Sequence, residues 1–227
     1  MRAAAFFSGG KESVFAVYKC LKEGVEVDYL IMNFFEFPRP SPHTENASMV
    51  RAIAELLGIP LVEVRLEAGR EKEKLRAVLS ELGVDALVAG DILLEEHRRW
   101  HSDLVEPLGL ELLEPLWLGD PSKTRMLAEE ELAAGLVPVV MGVNLRKFSE
   151  GEKWLGRKLD EAAIEELARL GIDPCGERGE YHTLVVDAPI FRGKIELLDF
   201  ERKIKDYHAL LVVREFKISG RSPRDQA

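Results

Sequence analysis

Two cysteines in 227 residues, Cys20 and Cys175, are too few for a disulfide framework, and they lack the Cys-x-x-Cys spacing of a zinc site. No run of about 18 apolar residues occurs, which argues against a membrane-spanning helix. The residues before the first glycine turn, Met1 to Phe7, are too short a stretch for a signal peptide, so the expected compartment is the cytoplasm. Asparagine and glutamine are scarce while Glu, Arg and Leu are abundant, a balance in keeping with heat adaptation. Basic charge is also short: 31 Lys and Arg face 40 Asp and Glu, for a formal net charge of -9. That balance argues against a broad nucleic-acid surface, which needs clustered cations, and leaves only local basic patches at residues 97–101 and at Arg146-Lys147.

What is present is a folded-domain composition, 46% hydrophobic and 31% charged. Apolar runs suited to strands recur at residues 3–7, 29–34, 61–65, 86–89, 111–115 and 137–141, with helical spacing between them. Such alternation predicts an α/β fold with a parallel sheet covered by helices. The strand ends carrying Ser8, Asn33 and Asp91 then fall along one edge, where open parallel sheets bind ligands. The period changes after Val143: a polar stretch at 144–156, a short helix at 159–170, then strands at 183–186, 193–200 and 207–219. The division expected is a nucleotide-binding domain over 1–143 and a smaller mixed α+β substrate domain over 144–227. An oligomer is compatible with this reading.

The stretch Phe7-Ser8-Gly9-Gly10-Lys11-Glu12-Ser13 joins the first strand to the first helix. A tight turn capped by serine would account for Gly-Gly alone. With serine on both flanks and a lysine inside, a phosphate site is the stronger reading. Glycines let backbone approach an anion, the helix N-terminus favours negative charge, and Lys11 adds a cation. The Walker spacing is absent, because Glu12 displaces the serine that would follow the lysine. The motif resembles instead the Ser-Gly-Gly-x-Asp-Ser loop of the N-type ATP pyrophosphatases, with Glu12 in place of the usual aspartate. That resemblance implies ATP cleavage between the α and β phosphates, with adenylation of a carbonyl or carboxylate oxygen.

A second constellation, Asp173 to Thr183, packs three carboxylates, Asp173, Glu177 and Glu180, two glycines and the imidazole of His182 into eleven residues just before an apolar strand. A charged surface turn is the plainer account. Beside a phosphate loop, hard oxygen ligands also suit magnesium and substrate positioning. Four motifs in order, Ser8 to Ser13, Pro42 to Asn46, Gly90-Asp91 and Glu177 to Thr183, make the chain similar to the diphthine-ammonia ligase family over nearly its whole length. Family members convert the carboxylate of diphthine on elongation factor 2 to an amide.

The resemblance implies a Rossmann-like, HUP-type nucleotide domain followed by a smaller substrate domain. It implies ATP, Mg2+ and ammonia as reactants, with elongation factor 2 carrying diphthine as the protein partner. Catalytic positions carried over are Lys11, Asp91, Glu177, Glu180 and His182. Nucleotide contacts are Ser8, Gly9, Gly10, Lys11, Ser13, Asn33, His43 and Gly90, and metal ligands are Asp91 and Glu177. One departure concerns the acceptor: the ligases typically read Gly-Glu-Tyr-Glu-Thr where this chain has Gly179-Glu180-Tyr181-His182-Thr183, a version similar to a sister branch that also occurs in bacteria. Alternatives left open are ligation or thiolation of another substrate, tRNA included, and a nucleotide-binding regulator without chemistry.

Other residues are assigned by spacing. His97 and His101 stand at i, i+4 without a Glu-x-x-His context and read as a polar helix face rather than a metal pair. Trp154 with Arg146 and Lys147 reads as part of a substrate mouth or as an anchor. Cys20 reads as packing, and Cys175 has no base beside it in sequence that would make it a nucleophile.

Overall fold

The computed structural model describes residues 1–35 and 41–221; the prolines at positions 38 and 40 and the polar tail after residue 221 lie outside the described residues. Along the chain run β1 (Arg2–Phe6), α1 (Lys11–Lys22), β2 (Glu26–Phe35), α2 (Pro42–Glu45), α3 (Ala47–Leu57), β3 (Leu61–Leu66), α4 (Glu71–Leu82), β4 (Ala86–Val88) and α5 (Glu95–Val105). There follow β5 (Glu111–Leu113), α6 (Thr124–Ala133), β6 (Val137–Asn144), α7 (Glu161–Arg169), β7 (Tyr181–Asp187), β8 (Gly193–Lys205) and β9 (His208–Gly220). By packing, residues 1–8, 12–35 and 59–121 form one unit, and residues 9–11, 41–58 and 122–221 form a second.

In the first unit every strand pair is parallel, in the order β3-β2-β1-β4-β5. β1 is central, and Ala3, Ala4 and Ala5 are wholly buried, so small side chains meet covering layers on both faces. On one face α4 contributes Leu75 and Leu79, and α5 contributes Leu104 and Val105, against Ile31, Val64, Leu66 and Leu87. Strand order reverses between β1 and β4, and a reversal in a parallel sheet opens a crevice beyond the strand ends. Ser8 follows β1 there, and Gly90-Asp91 follows β4. Gly90 has to be glycine for closeness rather than conformation: a Cβ at this position would lie 3.0 Å from the Glu12 carbonyl oxygen and 3.2 Å from the Ser13 nitrogen. The end of β4 therefore abuts the first turn of α1. The α/β, Rossmann-like expectation holds.

The second unit is built on an antiparallel sheet ordered β7-β6-β9-β8. Here one strand is reassigned. Residues 137–141, expected to continue the parallel sheet, belong to β6, which pairs antiparallel with β7 and β9. β6 is buried along nearly its whole length, so it shows the continuous apolar run of a parallel strand rather than the alternation that marks a half-exposed antiparallel one. The expected boundary at residues 143 and 144 falls at the end of this strand. The helix expected at 159–170 is α7, started by Asp160, whose Oδ1 accepts from the Ala163 N–H at 2.7 Å.

Asn46, between α2 and α3, is 1% exposed and fully used. Its amide nitrogen donates to the carbonyls of Pro42 at 2.8 Å and Leu211 at 2.9 Å, and its oxygen accepts from the Val213 N–H at 2.8 Å. One side chain thus ties the α2–α3 segment to β9. Replacing Asn46 with Ala removes the side-chain partners of the Leu211 carbonyl and the Val213 N–H on β9, while the Pro42 carbonyl keeps the N–H of residue 46; each buried group left unpaired costs about 1–3 kcal/mol. Urea denaturation of Asn46→Ala should show a loss of roughly 2–5 kcal/mol; an unchanged midpoint would mean that the three bonds contribute nothing to folding.

Candidate active site

The segment from Ser8 to Ser13 is gripped at several points. The Ser8 N–H and hydroxyl both reach the Ser13 Oγ at 3.3 Å, closing the turn on itself in the first unit. The next three residues are held by β7 in the second unit. Gly9 takes φ +74°, which a side chain strongly disfavours, and a Cβ there would also press on Ile53 Cδ1 and Leu184 Cδ2, each at 3.0 Å. Its carbonyl accepts from the Val185 N–H at 2.9 Å, and the Lys11 N–H donates to Thr183 Oγ1 at 3.2 Å. Lys11 is 1% exposed, and its Nζ lies 3.4 Å from Glu131 Oε2 on α6. Burial works against the Lys11 charge, but Cys175, Glu131 and Glu177 outweigh it and raise its pKa above the ordinary lysine value. With Cys175 protonated, the carboxylates are the partners that keep this ammonium charged.

Glu131 is a functional candidate that the sequence analysis does not single out. The signal was nevertheless there: Thr124, Leu127, Ala128 and Glu131 are the buried residues of α6, the i, i+3, i+4, i+7 stripe of a core-facing helix. A charge on that stripe is the exception that marks a partner.

The loop from Asp173 is a built turn. The Cys175 N–H donates to Asp173 Oδ1 at 2.8 Å, the Gly176 N–H donates to the Asp173 carbonyl at 2.8 Å, and the buried Tyr181 hydroxyl donates to the Pro174 carbonyl. Cys175 itself is buried, its Sγ donates to the Thr124 carbonyl at 3.1 Å, and burial pushes the thiol up to about 12. It is a neutral packing residue, as is Cys20, which is 2% exposed. Glu180 is 6% exposed, and its Oε2 is buried with no hydrogen-bond donor among the described residues. Lys147 donates from Nζ to the Arg178 carbonyl, pinning the loop from outside.

His182 keeps an accessible face although protein atoms encircle it, and its ring meets that of His43 edge-on at 5.6 Å. Encirclement, with the neighbouring charges of His208, Lys11 and Lys147, lowers its pKa to about 4. The second unit therefore brings together Gly9, Gly10, Lys11, His43, Glu177, Glu180 and His182 from the expected set, and adds Glu131 and Thr183.

The first unit holds Ser8, Ser13, Asn33, Gly90 and Asp91. Asn33 lies in β2 opposite Val64, and its buried Oδ1 has no donor among the described residues. Asp91 is engaged by imidazoles: Oδ1 lies 2.7 Å from His97 Nδ1 and Oδ2 lies 3.6 Å from His101 Nδ1. Both histidines of the i, i+4 pair thus lie beside one carboxylate, His101 buried and His97 exposed. Arg98 pairs with Glu114 at 3.0 Å and Arg99 lies 3.8 Å from Glu95, so the basic run at 97–101 is largely neutralised. Trp154 is buried, with Phe148 at 5.4 Å and the Arg157 guanidinium over its ring at 4.1 Å. It is an anchor rather than an open mouth.

The depressed pKa fixes a pH dependence. Between the ordinary value near 6.5 and about 4 the unfolded chain takes up a proton at His182 that the folded chain refuses, so this contribution to stability is complete above 6.5 and is lost as pH falls through that window. In histidine-selective NMR titration the His182 ring should have its midpoint near 4; a midpoint at or above 6.5 would show that solvent reaches the ring freely.

Comparison with known proteins bears on the family of the whole chain. The Diphthine--ammonia ligase of Danio rerio is 29% identical over 227 residues, covering 86% of this chain and 86% of that protein. The Rattus norvegicus protein of the same name is 26% identical over 248 residues, covering 97% of this chain and 91% of its own length. Among solved structures, a U34-tRNA thiolase from Methanococcus maripaludis matches 79% of this chain and 70% of its own at 15% identity and a TM-score of 0.39, too distant a likeness to bear on the site. The family model described as the diphthamide synthase N-terminal domain matches residues 1–112, and that of the diphthamide synthase C-terminal domain matches residues 125–218. Two family domains in order, over most of the chain, show that it belongs to the diphthamide synthase family, whose named relatives are ATP-dependent ligases.

Proposed function

We propose that this ligase activates a carboxylate with MgATP and then couples it to ammonia. A carboxylate oxygen attacks the α-phosphorus, pyrophosphate leaves, and ammonia displaces AMP from the acyl carbon with loss of a proton. The observation that carries the reading is Lys11: a charged lysine, 1% exposed, fixed at the first residue of a helix directly after Gly-Gly. Few structural needs place a cation there, whereas a polyphosphate does. Ser8, Gly9, Gly10 and Ser13 are assigned to the same phosphates, with Gly90 keeping backbone close. Asn33, whose buried oxygen lacks a donor, suits an exocyclic amino group such as that of adenine. His43 is assigned to the nucleotide side as well.

Magnesium is proposed to arrive with ATP as the substrate MgATP. Glu177 and Asp91 are the assigned oxygen ligands, which for Asp91 requires release of the His97 contact. Glu180 offers a buried acceptor without a donor, the feature a site needs to hold ammonia by its N–H and to take its proton. His182, neutral at physiological pH with a pKa near 4, is a poor base, so its role is orientation. We assign nucleotide handling to residues 1–143 and acceptor handling to residues 144–227, in the cytoplasm. The acceptor proposed is the carboxylate of diphthine, which the relatives' name indicates, carried on elongation factor 2 as the family resemblance implies. His182, standing where the ligases typically carry glutamate, favours a second reading in which the same adenylation serves another carboxylate.

Chromatography of nucleotides after turnover with MgATP should show AMP and pyrophosphate; ADP and phosphate would remove the central claim. With diphthine-bearing elongation factor 2 as acceptor, amide formation should follow ammonium concentration and persist in Cys20→Ser and Cys175→Ser. Adenylation without amide on that acceptor would favour the second reading.

A further inference from the structure

A buried carboxylate is costly unless a cation and good geometry compensate it. On α6 the neighbouring glutamates behave as surface residues, Glu129 pairing with Arg125 at 2.8 Å with both half exposed. Glu131 does not: it is 1% exposed and turned into the core stripe. The cation that meets it is Lys11 Nζ at 3.4 Å, with side chains 2% and 1% exposed. The other end of Lys11 is fixed by its N–H on Thr183 and by the Gly9 carbonyl bonded to the Val185 N–H. A four-carbon side chain of this length has several rotamers, and the ion pair favours the one that brings its ammonium to Glu131. Cys175, close by, is protonated and supplies no counter-charge.

We propose that Glu131 is a positioning residue: its carboxylate holds the Lys11 ammonium in place at the phosphate loop, so the cation is set in place before the nucleotide arrives. This rests on the reading of residues 8–13 as the phosphate loop. Without the Glu131 carboxylate, Lys11 loses one of the two carboxylates that offset its burial, and burial weighs more heavily against the charged form. Lys11 then loses its proton or turns away, and either way its charge leaves the loop.

The test is a double-mutant cycle read as the dissociation constant for MgATP by calorimetry. Lys11→Met should weaken binding by roughly tenfold or more, the size of a lost charge-assisted contact. Glu131→Gln should weaken it in the same direction, and Glu131→Asp, which keeps the charge, should recover part of the loss. If Glu131 acts through Lys11, the combination Lys11→Met with Glu131→Gln binds no more weakly than Lys11→Met alone. Thermal unfolding without nucleotide checks that each variant is folded. If Glu131→Leu does not fold, Lys11→Met with Glu131→Leu, an apolar pair, should fold and bind like Lys11→Met. Losses that multiply, or Glu131→Gln binding within twofold of wild type while Lys11→Met is impaired, overturn the proposal and leave the loop reading standing. Unchanged binding in Lys11→Met overturns the loop reading itself.

Discussion

The grip of β7 on the backbone of Gly9 and Lys11 is the constraint from which the rest of the site follows. A strand edge normally spends its N–H and C=O groups on another strand. β7 spends some of its own on a glycine turn: the Val185 N–H goes to Gly9 and the Thr183 hydroxyl takes the Lys11 N–H. That contact requires the left-handed φ of Gly9, which in turn rules out a side chain between Ile53 and Leu184. With the backbone fixed so closely, Lys11 cannot reach solvent, and its charge needs Glu131. The order of causes is backbone geometry first, burial second and electrostatics third.

Much of the first unit was legible because the chain there obeys simple periods. Parallel strands buried on both faces show as short apolar runs, and helices between them leave a 3.6-residue stripe, so the five strands and their order of use could be read directly. The Ser-Gly-Gly turn stood out for the same reason: glycine pairs between a strand and a helix have few uses. Gly90 was readable as a partner of that turn, although its reason, the closeness of the Glu12 carbonyl, depends on three-dimensional contact. The second unit was less legible. β6 lacks exposed faces and so imitates a parallel strand, and its pairing with β7 and β9 is non-local.

Side-chain roles were hidden wherever they depend on partners far along the chain. Asn46 sits in a motif carried over as a nucleotide-side segment, yet its three bonds tie backbone to backbone across |i−j| of 4, 165 and 167. Asp91 was expected as a ligand and is found between two imidazoles, since α5 turns His97 and His101 toward it. Glu131 stands third in a run of three glutamates, and only the packing of α6 sets it apart as buried. In each case residue type was informative and the partner was not, since a partner is a property of the fold.

The bond between Lys11 and Thr183 spans 172 residues. A ribosome makes β1, the glycine turn and α1 well before β7. Non-local contacts of this kind must wait for loop closure over the intervening chain. Until β7 emerges, the Lys11 N–H lacks Thr183 and the Gly9 carbonyl lacks the Val185 N–H, so the glycine turn is without two of the bonds that hold it. A nascent or truncated chain that stops short of β7 therefore carries residues 8–13 without the strand that shapes them. Emergence of β7 becomes the event that sets the glycine turn, which ties the shape of a segment made early to translation 172 residues further on.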